Sequence, residues 1–298
     1  MKKTDYSDVF KKRVDETEKI IESFLPSEEG EARIIFEAMN YSVLAGGKRL
    51  RPLIMWESYK AFGGSGREIE PFMAAMECIH TYSLVHDDLP CMDNDEFRRG
   101  KKTTWSAYGY DIGVLCGDAL LNYAFETAVK AFPLTDDVNK CARAMKVLAD
   151  KSGCYGMLGG QVVDVINTDK AVNADQLDLI FRLKTGALIQ SSMMIGAIMA
   201  GASDEMVRVV EEIGLKVGVA FQIRDDILDC TSTTEVLGKP VGSDEKNNKT
   251  TYVSLYGLDK AQADVLSLME DSERLLRQIP GDTEFLGYIF DLLINRSK

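Results

Sequence analysis

Apolar residues recur along most of the chain at the three- and four-residue spacing of amphipathic helices. Val9, Phe10, Val14, Ile20, Ile21 and Phe24 mark an opening helix that Pro26 ends. A second helix is predicted from about 32 to 44, stopping at Gly46-Gly47, and a third from about 52 to 64. A long apolar helix is predicted from Pro71 to about Leu89. Others follow over about 111–132, 136–152, 155–167, 173–201, 204–229, 259–279 and 283–294. Alternating β-branched runs are nearly absent, so no sheet is expected. The predicted fold class is all-α, as a single helical domain spanning residues 1–298 with no linker or short repeat. The exception to its short loops is 230–248, rich in Thr, Gly, Lys and Asn, a length usually reserved for function or motion.

The stretch 185–203 carries no charge and approaches membrane-spanning length. It also holds Thr185, Gln190, Ser191, Ser192 and several small residues, so a packed core helix is expected and no membrane span. Composition is that of a globular protein, 45% hydrophobic and 28% charged over 298 residues. The net charge of −12 argues against a nucleic-acid partner, which needs a basic surface. It also means that anionic substrates would need metal cations. Six cysteines without CxxC spacing read as buried free thiols of a reducing, cytoplasmic compartment. With His80 and His86 the only histidines, a zinc centre or a His-dependent hydrolase is poorly supported. The start MKKTDYSDVFKK has no apolar signal region, and the terminal NRSK is no lipidation box.

Two aspartate clusters stand out, Asp87-Asp88-Leu89-Pro90-Cys91-Met92-Asp93 and Asp225-Asp226-Ile227-Leu228-Asp229. Asp225 and Asp229 lie one turn plus about 40° apart on a helix, so both project from one face. Like charges at that spacing repel unless a cation sits with them. In the first cluster a continuing helix would turn Asp93 about 240° away from Asp87. Pro90 should end the helix and let the chain bring Asp93 back toward Asp87. A lone Asp-Asp pair is ordinarily a solvated helix end. Two pairs, each closing an apolar helix whose C-terminus is already negative, point instead to a hard-cation site suited to Mg²⁺.

Basic residues accompany the acids. Gly46-Gly47-Lys48-Arg49-Leu50-Arg51-Pro52 puts three cations on a tight turn where glycine allows close approach to an anion. Arg98-Arg99-Gly100-Lys101-Lys102 follows the first aspartates. Lys184-Thr185 edges the uncharged helix, and Lys239 and Lys249 flank the long loop. Acids for metals and Lys/Arg for phosphate contacts make a bipolar site.

These motifs resemble the trans-prenyltransferases, the polyprenyl synthase family that includes farnesyl and geranylgeranyl diphosphate synthases. The match runs through GGKRLRP (46–52), ECIHTYSLVHDDLPCMDNDEFRRGK (77–101), GDALL (117–121), GGQVVD (159–164), KT (184–185), FQIRDDILD (221–229) and LGKPVGSDEKNNKTTY (237–252). The resemblance implies an isoprenoid synthase fold around a central cavity, with the two aspartate clusters across its mouth. It implies a catalytic set of Asp87, Asp88, Asp93, Lys184, Asp225 and Asp226, and Mg²⁺ held by Asp87, Asp88, Asp93, Asp225 and Asp229. Gly47, Lys48, Arg51, His80 and Arg99 would hold isopentenyl diphosphate. Arg98, Lys184, Thr185, Gln222 and Lys239 would hold the allylic diphosphate, dimethylallyl or geranyl. A homodimer is also implied. Lys102, Trp105 and Val253 stand where proline, histidine and proline are common, positions that touch no implied ligand.

Product length is read from Tyr82 and Ser83, five and four residues before Asp87 and more than a turn deeper on the helix. A tyrosine there could block a growing tail or could be an ordinary core aromatic. With the inserted Pro90-Cys91 it resembles the bacterial-type farnesyl (C15) synthases, with a geranylgeranyl (C20) product as the alternative. A non-catalytic partner subunit would be expected to lose an aspartate cluster or the KT pair, and a terpene cyclase would lack the second DDxxD and the GGKR turn. An inactive acidic scaffold is the remaining alternative.

Overall fold

The apolar periodicities become helices close to where the sequence puts them. The computed structural model describes residues 6–168, 170–231 and 250–295. Internal contacts divide the chain into two units, the first of residues 1–56 and 66–145, the second of 57–65 and 146–298.

The first unit holds α1 (Ser7–Ser23), α2 (Arg33–Val43), the start of α3 (Leu50–Ala61), α4 (Glu70–Asp87), α5 (Thr104–Tyr108), α6 (Tyr110–Ala128), a 3₁₀ turn (Val129–Leu134) and the start of α7 (Val138–Ser152). Pro71 opens α4 at a position where the missing N–H costs nothing. The helix buries Phe72, Met73, Met76 and Ile79 completely, and its main partner is α6 through Cys116, Leu120 and Ala124. The two helices pack tightly at Gly117, where a Cβ would lie 2.0 Å from Nε2 of His86. Only glycine leaves room for that ring.

In the second unit are α8 (Met157–Ile166), α9 (Ala174–Ile180), a π-helical turn (Phe181–Gly186), α10 (Ala187–Ala200), α11 (Asp204–Thr231), α12 (Tyr252–Tyr256), α13 (Leu258–Leu276) and α14 (Glu284–Ile294). Asn173 and Gln176 form a reciprocal capping box that starts α9. Gly201, at φ 86°, stops α10. α10 packs on α11 backbone to backbone, since a Cβ on Gly214 would lie 2.6 Å from Cα of Gln190. Leu177, Phe181, Ile223, Ile227, Val265 and Ile294 form a core beside it.

Several expectations change. The absence of sheet does not hold, because Phe97–Arg98 and Lys101–Lys102 form a small antiparallel hairpin. Its turn residues Arg99 and Gly100 have φ of 53° and 75°, the positive pair of a tight two-residue turn. The cationic run hides this signal, since four charged residues show no apolar alternation. The five-residue helices α5 and α12 are too short to carry a helical period. The thiols are not all buried: Cys78, Cys116 and Cys141 are, while Cys91, Cys154 and Cys230 are exposed. Cys91 sits in the loop after Pro90, and Cys230 lies in the final turn of α11. Among the described residues, two helical stretches are long and apolar enough by composition to cross a membrane, 110–134 and 174–200. The second is 83% buried within the structure, as a core helix should be, and the first only 39%.

Candidate active site

The first aspartate cluster begins at the end of α4. Asp87 is the last helical residue and Asp88 the cap. Pro90 prevents continuation, and the loop folds back so that the Asp93 N–H donates to the Asp87 carbonyl at 2.8 Å. Asp95 N–H likewise reaches the Asp88 carbonyl at 3.2 Å, and Asn94 adopts φ 56° to close the turn. The reversal expected from Pro90 is therefore present in the backbone.

Asp88 departs from its companions. Its side chain is 4% exposed and takes a forked pair of bonds from Arg98, Nη2 to Oδ1 at 2.6 Å and Nε to Oδ1 at 2.8 Å, with Nε 3.1 Å from Oδ2. Burial raises the Asp88 pKa, and the Arg98 guanidinium opposes that shift. The carboxylate thus fixes Arg98, and both of its oxygens are engaged in doing so.

Gly46, Gly47 and Arg49 have φ of 90°, 140° and 47°, which coils the cationic turn tightly. Arg99 Nη1 donates to the Gly46 carbonyl, and a Cβ on Gly47 would lie 2.7 Å from that nitrogen. Gly47 is thus the close-approach glycine, and Lys48 beside it is exposed. The three cations of this turn do not act alike, because Arg49 points inward to the buried Glu77. Arg51 Nη1 lies 3.3 Å from Nε2 of His80. A guanidinium can only donate, so Nε2 accepts and the imidazole proton sits on Nδ1. Burial first, then the charges of Arg51, Arg99, Arg98 and Arg49, hold His80 well below its usual pKa, so the ring is neutral. Burial brings Arg51 down to about 10, with Arg99 adding to the effect and Glu77 opposing it. The buried Nε of Arg51 has no hydrogen-bond partner. An anion would satisfy that donor and relieve the crowded cations.

Tyr82 is 5% exposed and meets His86 edge to face, centroids 6.0 Å apart at 84°. His86 Nε2 is 3.0 Å from the Val114 carbonyl. Ser83 bonds to the His80 carbonyl at 2.9 Å.

In the second unit, Asp225, Asp226 and Asp229 lie within the unbroken α11, so the 225/229 spacing is that of one helical face. Asp226 and Asp229 are 7% and 4% exposed. Oδ2 of Asp226 accepts the Tyr252 N–H at 2.6 Å, which ties α11 to the start of α12. Lys184 and Thr185 fall in the π-helical turn, an irregularity often found at functional sites. Lys184 pairs with Asp164 at 2.6 Å, and Thr185 Oγ1 donates to Oε1 of Gln222. A Cβ on Gly160 would lie 2.3 Å from the Lys184 backbone nitrogen, so the 159–164 motif packs directly on the 184–185 turn. Lys239 and Lys249, with most of the 230–248 loop, lie outside the described residues. Among the described residues, no three His, Cys, Asp or Glu side chains gather closely enough to form a complete metal cage.

Sequence reasoning passed over Arg49, Glu77 and Asp164 as working residues. For Asp164 a signal existed, the Gly-Gly-Gln-x-x-Asp string itself. For the Arg49–Glu77 pair there was none, since the partners are 28 residues apart.

Comparison with known proteins shows what the whole chain is similar to. A family model described as polyprenyl synthetase matches residues 32–279. A farnesyl diphosphate synthase of Geobacillus stearothermophilus is 41% identical over 268 residues, 90% of each chain. A chloroplastic geranylgeranyl pyrophosphate synthase of Catharanthus roseus is 42% identical over 82% of this chain and 68% of its own. A crystal structure of an FPP/GFPP synthase from Zymomonas mobilis superposes with a TM-score of 0.84 at 31% identity, covering 98% of each chain.

Proposed function

Because the chain belongs to the polyprenyl synthetase family, we propose that it joins isopentenyl diphosphate head to tail to dimethylallyl or geranyl diphosphate and releases farnesyl diphosphate. The observation that carries this reading is in the first unit. An aspartate loop folded back on itself stands in the same unit as four arginines around a neutral His80. The family match runs through both units, which supports treating the chain as one synthase domain.

Isopentenyl diphosphate is assigned to Lys48, Arg51, His80 and Arg99, with the backbone at Gly47. The partnerless Arg51 Nε and the Nδ1 proton of His80 supply donors without a further charge to desolvate. Lys184, Thr185, Gln222 and Lys239 are assigned to the allylic diphosphate, as is Arg98, which Asp88 holds in place. Mg²⁺ suits the carboxylates of Asp87 and Asp93, and those of Asp225 and Asp229. It keeps much of its water and takes one or two carboxylates beside phosphate oxygens, so a complete protein cage is unnecessary. When bound, the metal neutralises charge that builds on the leaving diphosphate. Asp88 and Asp226 act differently, as braces for Arg98 and for the chain at Tyr252.

In the reaction the allylic C–O bond breaks and diphosphate departs with the electron pair. The double bond of isopentenyl diphosphate then adds to the allylic carbon. Loss of a proton, taken by the departing diphosphate, restores a double bond. Lys and Arg side chains fixed by Asp164 and Asp88 meet the developing charge with little reorganisation.

Tyr82 favours the C15 product over C20. A second copy of the chain is the proposed partner, covering the outward face of α6 where Tyr110 and Leu115 are 49% and 54% exposed. The cytoplasm is the proposed compartment. The test is incubation with isopentenyl and geranyl diphosphates and Mg²⁺, with and without EDTA, followed by chromatography. A C15 product that EDTA abolishes is expected, and no elongation with metal present would overturn the assignment.

A further inference from the structure

Arg49 is the cation of the turn whose side chain pairs with a buried acid. Its side chain is 3% exposed and that of Glu77 is 4% exposed. Nη1 meets Glu77 Oε1 at 2.6 Å, Nη2 donates to the Val43 carbonyl at 2.8 Å, and Nε reaches Glu18 Oε1 at 3.3 Å. The guanidinium therefore joins α1, the end of α2 and α4 at a single point.

The two ends of this pair sit beside the proposed isopentenyl diphosphate residues. Arg49 follows Lys48 and precedes Arg51 by two positions. Its φ of 47° turns its own side chain inward while Lys48 remains exposed. Glu77 lies three residues before His80 on α4, about one helical turn. Arg51 and His80, one from each side, are the residues 3.3 Å apart in the site. A shift of the turn against α4 would separate them.

We propose that the Arg49–Glu77 ion pair is a positioning device for the isopentenyl diphosphate subsite. It fixes the turn that carries Lys48 and Arg51 against the part of α4 that carries His80. Neither residue touches substrate. This rests on the assignment of isopentenyl diphosphate to Lys48, Arg51, His80 and Arg99.

A pair that served stability alone could be exchanged for apolar residues of similar volume at little cost. The experiment compares the wild type with Arg49→Lys, Glu77→Gln and the double variant Arg49→Met/Glu77→Leu. It measures melting temperature and KM for isopentenyl and geranyl diphosphates separately. The double variant should melt near the wild type, yet its KM for isopentenyl diphosphate should rise about tenfold or more and that for geranyl diphosphate less than about twofold. Glu77→Gln leaves the buried Arg49 charge without its counter-ion, so it should melt lower and raise the isopentenyl diphosphate KM selectively. Arg49→Lys loses the fork and should raise the isopentenyl diphosphate KM selectively.

A double variant with wild-type KM values overturns the proposal, as does an equal rise for both substrates. If the double variant fails to fold, Arg49→Lys decides, and an unchanged isopentenyl diphosphate KM in that protein overturns it. Lys48→Ala separates the two layers. An unchanged isopentenyl diphosphate KM there defeats the substrate assignment itself, whatever Arg49 does.

Discussion

Tyr82→Ala tests the product assignment most directly. Tyr82 lies five residues before Asp87, so its Cα is about 7.5 Å deeper along α4. Its ring cannot easily move aside. His86 meets it edge on at 6.0 Å, and His86 in turn lies against Gly117, with Nε2 at 3.0 Å from the Val114 carbonyl. Truncating a buried aromatic costs roughly 3–5 kcal/mol of stability, and the edge-to-face contact is part of that loss. The folded variant should therefore melt lower. Against this, each added isoprene unit brings five carbons, worth roughly 4 kcal/mol if fully buried at about 0.8 kcal/mol per group. If only a third of that is realised, elongation past C15 gains about a factor of ten, since about 1.4 kcal/mol is one decade. Both proteins are incubated with isopentenyl and geranyl diphosphates, the products dephosphorylated, and the alcohols separated by chromatography. The wild type should stop at C15 and the variant should yield mainly C20 or longer. C15 from both proteins would refute the argument that Tyr82 is the floor.

Gly160→Ala forces a Cβ within 2.3 Å of the Lys184 backbone nitrogen, which cannot yield like a flexible side chain. Overpacking of this kind costs about 1–3 kcal/mol, so a lower melting temperature and a raised KM for the allylic substrate are expected in melts and steady-state kinetics. Arg51, with its pKa lowered to about 10, should lose its grip on isopentenyl diphosphate as pH rises through that value, seen as a climbing KM in a pH profile. Its stability effect has the opposite sign. The folded value lies below the unfolded one, so the penalty for burying the charge is fully present below about 10 and lifts as pH rises toward the unfolded value. Asp226→Ala removes the acceptor for the Tyr252 N–H, a charge-assisted bond worth about 1.5–3 kcal/mol. The melting temperature should fall by the same amount with EDTA as without it, and a drop confined to metal-containing samples would count against the bracing role.

The helices were legible because their determinants are local. Pro71 and Gly201 punctuate them, and most carry a 3.6-residue apolar period; α10, buried on nearly every side, was legible instead by its length and lack of charge. Pro90 was enough to foretell the fold-back of Asp93, since a missing N–H and a ring clash act within one turn. The division of labour among the charges was not legible. GGKRLR reads as three equivalent cations, yet Arg49 is drawn inward by an acid 28 residues away. The resemblance counts Asp88 among the metal ligands and Asp226 in the catalytic set, yet Asp88 is held by Arg98 and Asp226 accepts the Tyr252 N–H. In each pair the first aspartate is the residue proposed for metal, and the second braces its own surroundings. A burial argument explains the pattern. On a helix, neighbours point about 100° apart, so when one carboxylate faces the site the next turns toward protein. A carboxylate turned toward protein must find a donor there, because an unpaired buried charge is too costly to keep. On the proposed assignment, the doubled aspartate encodes one ligand and one brace. The brace residues should then fail by loss of stability and geometry, and the ligand residues by loss of metal-dependent rate.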